Sequence, residues 1–119
     1  MHIYLTRDSV CAGDDVEAPH ALEFDLPGTP EVAFVVEHAL RSGYLPSISG
    51  GRATWSITSA IPVAVAAQQW SKPKHFQLFG GLRDVDFASG TLRLHFNYHA
   101  QIDPDIVHET LWGFRLRAI

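Results

Sequence analysis

The residues with the widest chemical reach crowd into one segment, Asp8 to His20, which holds Asp8, Ser9, Cys11, Asp14, Asp15, Glu17 and His20. Carboxylate, imidazole and thiolate all ligate divalent ions, so a metal site here would use Asp14, Cys11 and His20. Their spacing matches no zinc template. An EF-hand needs oxygen ligands at alternate positions and a closing glutamate, and the segment lacks both. A solvated acidic loop, with Asp and Gly serving turn geometry, accounts for the same residues. Cys11 as a nucleophile needs a thiolate held near a cation, whereas its sequence neighbours are carboxylates, which work against one.

Two further clusters carry polar chemistry. In residues 91–99, Leu92, Leu94, Phe96 and Tyr98 alternate with Arg93, His95, Asn97 and His99, a strand pattern with one polar face. On a helix, His95 and His99 would meet on one metal. On a strand they share a face about 13 Å apart, too far for one ion. The face is then a wet side of the sheet or a polar binding surface. In residues 68–76, Trp70 stands among Lys72, Lys74 and His75. Trp70 serves either as an interface anchor or as the closing edge of the core. Gly50-Gly51 and Gly80-Gly81 do not lead into a helix with the spacing a phosphate needs, and Asp84 and Asp86 read as a solvated face. No Gly-x-Ser-x-Gly or Cys-x-x-Cys occurs, so no catalytic residue and no cofactor is expected. A fold that brought 8–20 against 93–99 would reopen the question.

The totals bound what holds these clusters. A chain of 119 residues suits a single domain, 1–119; 46% hydrophobic content supports a core, and 18% charge is too little for disorder. The lone Cys11 forms no internal disulfide and suits a reducing compartment. Charge arrives early after Met1, at Arg7-Asp8, which argues against a signal peptide or membrane span. The net charge of −4 disfavours nucleic acid and permits a basic protein partner. A soluble cytoplasmic protein is expected.

The elements follow from periodicity. Residues 2–8 and 21–26 read as strands flanking the acidic loop. Residues 30–42 form a helix: Thr29 is the expected cap, Pro30 the first position, Val32, Val35, Val36, Ala39 and Leu40 the buried stripe, and Gly43 the stop. Glu37 and Arg41 are spaced for an ion pair on it. Residues 52–59 form a strand, 61–69 a strand covered on both faces, and 76–79 a short one. Arms 82–87 and 91–99 form a hairpin around a three-residue loop, Ala88-Ser89-Gly90. Asp103 caps a second helix that begins at Pro104 and ends before Gly113. Phe114, Leu116 and Ala118 then alternate with Arg115 and Arg117 as an edge strand, where a homodimer could pair. The class is α+β, with a mainly antiparallel or mixed sheet, two helices and a β-grasp-like β-β-α-β-β start.

The runs Arg7-Asp8-Ser9-Val10-Cys11-Ala12-Gly13-Asp14-Asp15 with Ala18-Pro19-His20, Gly43-Tyr44-Leu45-Pro46-Ser47-Ile48, and Ala66-Ala67-Gln68-Gln69-Trp70-Ser71-Lys72-Pro73-Lys74 resemble small uncharacterised bacterial cytosolic proteins, of the sort met as immunity partners in toxin–immunity loci. The resemblance implies a non-catalytic protein-binding module that blocks a cognate toxin, and it transfers no active-site residue. The expected binding residues are Asp8, Asp14, Asp15, Glu17, Trp70, Lys72, Arg93, His95 and His99, facing a basic toxin. The rival expectation is a small metal-dependent enzyme or metal-binding protein built on the 8–20 loop and the histidines of 93–99.

Overall fold

The computed structural model describes residues 1–118. Its strands are β1 (His2–Arg7), β2 (Leu22–Asp25), β3 (Thr54–Ser59), β4 (Ile61–Ala67), β5 (Lys74–His75), β6 (Phe87–Ala88) and β7 (Thr91–Tyr98), and its helices are α1 (Val32–Arg41) and α2 (Pro104–Ala118). The strands share one sheet in the order β2-β1-β7-β3-β4-β5, with β6 as a hairpin arm on β7. β1 and β7 pair in parallel, and every other pairing is antiparallel. The class is α+β as expected. The β-β-α-β-β start is present, and α1 packs on a mixed sheet as that order implies.

One face of the sheet is the main core. Ile3 and Leu5 of β1, Leu92, Leu94 and Phe96 of β7, Trp55 and Ile57 of β3, and Ala64 and Ala66 of β4 pack against Val32, Val35, Val36 and Ala39 of α1. Strand alternation and the helical stripe each put apolar residues on the facing side. The other face is divided. Over β4, α2 covers Val65, with Phe76, Val107, Trp70, Leu111 and Trp112 in a second cluster. Over β1 and β7 the same face carries Tyr4, Thr6, Arg93, His95 and Asn97, with Thr58 of β3 beside them. Among the described residues no helix packs on that half, which leaves its polar side chains within reach of water.

Several boundaries differ from the sequence pattern. α1 begins at Val32 with Glu31 as its cap, and Val35 N–H donates to the Glu31 carbonyl at 3.2 Å. Gly43 does end it, with φ of 79°. Glu37 pairs across to His75 at 3.6 Å, not along the helix to Arg41. The expected strand 76–79 is displaced to Lys74–His75, and Phe76 turns into the second cluster. The arm 82–87 is shortened to Phe87–Ala88, because Gly81–Arg83 closes as a 3-10 turn and the Asp84 carboxylate accepts Gly80 N–H at 2.7 Å. The hairpin loop is two residues, not three. Ala88 pairs with Thr91, and Ser89 and Gly90 hold φ of 54° and 75°, the left-handed pair that matches strand twist.

The largest correction concerns residues 114–118, which continue α2 instead of forming an edge strand. Asp103 caps the helix as expected, its carboxylate accepting Asp105 N–H at 2.9 Å. Gly113 does not stop it, since a glycine inside a helix costs only about 1 kcal/mol. Val107, Leu111 and Arg115 recur at four-residue spacing; Val107 and Leu111 pack in the second cluster, and Arg115, which is buried, donates to the Gln77 carbonyl. The helical period therefore overrides the short alternation and leaves Phe114 and Leu116 exposed. A homodimer has no strand edge to pair with at 114–118. No helix among the described residues is long and apolar enough to cross a membrane.

Candidate functional site

The parallel pairing of β1 with β7 sets Thr6 beside His95, and the antiparallel pairing of β3 sets Thr58 on its other side. The ladder runs one step further, with Asp8 N–H donating to the Phe96 carbonyl at 2.9 Å. Asp8 therefore leaves the sheet on the polar face. Its Oδ2 accepts Tyr98 N–H at 2.9 Å, and its Oδ1 lies 2.8 Å from His95 Nε2. His95 Nδ1 lies 2.7 Å from Thr6 Oγ1. A carboxylate only accepts, so Nε2 carries the proton toward Asp8, which leaves Nδ1 of that tautomer as the acceptor for the Thr6 hydroxyl. Hydroxyl, imidazole and carboxylate stand in line. The two segments on which the functional question turned do meet.

A second cluster folds the loop itself. β1 alternates Ile3, Leu5, Arg7 toward the core, so a guanidinium is carried inward and is 9% exposed. Asp14 answers it with both oxygens, at 2.7 and 3.3 Å. Val10 N–H also donates to the Asp14 carboxylate, at 3.1 Å. Ser9 Oγ contacts His20 Nε2 at 3.0 Å, and the Tyr44 hydroxyl donates to the His20 carbonyl at 2.6 Å. Residues Ala12–Glu17 form a 3-10 turn over this arrangement. The Arg7 guanidinium, and then Val10 N–H, hold the Asp14 carboxyl down at about 2, below its usual 3.8.

That depression has a pH consequence. The folded chain binds the Asp14 proton more weakly than the unfolded chain, so the pair stabilises fully above the unfolded value and progressively less as pH falls toward 2. Acid unfolding followed by circular dichroism is expected to steepen between about pH 4 and 2, and Asp14→Asn is expected to remove that part of the slope. An unchanged acid profile in the variant would contradict the Arg7–Asp14 assignment.

The remaining expected site residues separate. Asp15 and Glu17 are exposed on the 3-10 turn, and Cys11 is exposed at its start. Asp14 is turned inward to Arg7 and is not free to face a partner. Among the described residues no three His, Cys, Asp or Glu side chains converge as a metal-holding group: His20 Nε2 comes within 3.6 Å of Asp14 Oδ2, but Cys11 does not complete a set with them. His99 Nε2 lies 2.7 Å from Ser56 Oγ, and burial pushes its pKa down while the Asp8 charge opposes. Trp70 belongs to the cluster under α2, with Lys74 Nζ 4.6 Å from its ring centroid. Lys72 is exposed beside it, at a cavity of about 440 Å³ shared with Glu37 and Arg41. This patch follows β4, two strands from β7, and does not join Asp8 and His95.

Sequence reasoning missed Thr6 and Arg7. Arg7 carried a usable signal, a charge at the inward position of an alternating strand, which needs a buried counter-charge. Thr6 carried none, since its partner is 89 residues away. Comparison with protein-family models, with characterised proteins and with solved structures finds no match.

Proposed function

We propose that this chain is a protein-binding module of the bacterial immunity kind, which neutralises a basic toxin by covering its working surface. The observation that carries this is the docking of the acidic loop on the polar strand through Asp8. The loop is tied at Arg7, Asp8 and Tyr44, so its exposed carboxylates Asp15 and Glu17 are presented without a large ordering cost on binding. Arg93 and His95 supply the neighbouring polar surface, which no helix among the described residues covers. Acidic groups accelerate encounter with a cationic partner, and the fixed hydrogen-bonding groups set orientation.

The test uses the protein encoded beside this chain's own gene. Asp15→Lys with Glu17→Lys is expected to slow association roughly tenfold or more at low salt and to flatten its salt dependence, with little change in folding stability. Stopped-flow binding and survival of cells producing the neighbouring protein both read this. No complex with that protein, or an association rate indifferent to the double reversal, would overturn the proposal.

A further inference from the structure

Beside His95 on the uncovered half of the sheet lies a cavity of about 320 Å³, and Tyr4, Thr6, Thr58, Arg93 and Asp86 are among its walls. Asp8 is not in the wall; it stands behind the imidazole. The cavity is therefore on the hydroxyl side of the Thr6–His95–Asp8 line, where a reacting group would need to sit. We infer that this cavity is an acyl-transfer site in which Thr6 is the nucleophile, His95 its general base, and Asp8 the group that orients His95.

Three observations meet the geometric requirements of such a site. The nucleophile-to-base distance is 2.7 Å, and the base-to-orienter distance is 2.8 Å. The orienter is itself fixed by a backbone N–H, from Tyr98 at 2.9 Å. Thr6 and His95 are register partners on β1 and β7, and Asp8, the residue after β1, is held by its own N–H on the Phe96 carbonyl, so the sheet places all three. Arg93 is exposed at the cavity and makes no ion pair among the described residues, which leaves its guanidinium for charge developing on a carbonyl oxygen. Asn97 is not free for that task, because its amide donates to Thr58 Oγ1 at 2.8 Å and to the Ser56 carbonyl at 3.3 Å.

The cavity also sets a substrate class. It is at the small end for ligand sites, and Arg93 and Asp86 bring opposite charges to one wall set. A small neutral carboxylic ester fits this better than a phosphate, which Asp86 would repel. In the first step Thr6 Oγ bonds to the carbonyl carbon, its proton passes to His95 Nδ1, and the carbonyl oxygen takes the negative charge. Collapse breaks the bond to the leaving alcohol, which departs with the proton from His95. Water, deprotonated by His95, then cleaves the acyl–Thr6 ester and restores the hydroxyl.

This goes beyond partner binding, and its readout is a bond formed on the purified chain alone. The probe is p-nitrophenyl acetate, used on a Cys11→Ser background because Cys11 is an exposed thiol that acylates by itself. Acid-quenched protein is expected to carry one acetyl group, mapped by peptide mass spectrometry to Thr6. Thr6→Val and His95→Gln are each expected to lower turnover by about 10²-fold or more, and Thr6→Ser to retain it. Acetylation elsewhere with none at Thr6, or turnover indifferent to Thr6→Val, would overturn the inference. Location of the adduct in the chain with native Thr6 decides the matter even if a variant folds poorly.

Discussion

Truncating Phe96 to alanine is expected to lower folding stability by about 3–5 kcal/mol, a large share of the roughly 5–15 kcal/mol typical of a domain. Phe96 is fully buried at the centre of β7, with Arg7 of β1 and Ile57 of β3 as its register partners. Its ring meets Tyr44 edge-on, with centroids 5.5 Å apart. Burial holds the Tyr44 hydroxyl up at about 12, above its usual 10, and that hydroxyl donates to the His20 carbonyl at the end of the acidic loop. Emptying the Phe96 site therefore loosens both the core and one tie of the loop. Urea denaturation reads the first effect; a downward shift in the Tyr44 phenolate titration, followed by ultraviolet absorbance, reads the second. Phe79→Ala, at a ring that is 64% exposed, is expected to change stability by no more than about 0.5 kcal/mol. Equal costs at the two phenylalanines would contradict the assigned core.

Replacing Asp8 by alanine is expected to cost about 1–2 kcal/mol, and more locally than globally. The carboxylate accepts from Tyr98 N–H and from His95 Nε2, and removing it leaves both donors without their partner. Its side chain is 44% exposed, so water replaces part of what is lost, and the cost stays toward the low end for a charged acceptor. The loop consequence is sharper. Arg7 ends β1 and Asp8 follows it at the root of residues 9–20, where its side chain ties the loop to β7 through His95 and Tyr98. Hydrogen exchange at Tyr98 is expected to accelerate, and limited proteolysis is expected to appear within 9–20, while amides of Ile3 and Leu5 stay protected. Asp8→Asn keeps an acceptor for Tyr98 and is expected to fall between the native chain and Asp8→Ala. Unchanged exchange at Tyr98 would show that Asp8 does not hold the strand.

Local periodicity made much of this fold legible. The Val32–Ala39 stripe, the alternation of 91–98 and the Asp103-Pro104 start each state an element within a few residues of its own sequence. The failures came where a distant partner decides. Residues 114–118 alternate as a strand would, yet they belong to α2 because Val107, Leu111 and Arg115 need the helical period to face the sheet. Residues 82–87 lost most of their strand to a turn that Asp84 closes on Gly80. The candidate site divides the same way. Asp8 and His95 were identifiable as polar residues of the right type, but their contact joins positions 87 apart, and the parallel register that produces it is not written in either segment. Asp14 reads as an exposed carboxylate within its own segment, because its partner Arg7 lies in β1 and is turned inward there. Trp70 and the acidic loop, grouped by chemistry, are separated by the order of the strands.

The central claim is that Asp8 and His95 act as one unit joining the acidic loop to the polar face of β7. A double-mutant cycle on folding stability, with Asp8→Ala, His95→Ala and the two combined, tests it most directly. The expected result is a coupling energy on the order of 0.5–3 kcal/mol, the range for residues in one hydrogen-bond network. Additivity of the two substitutions within about 0.3 kcal/mol would contradict it, and the site would dissolve into two separate surface residues.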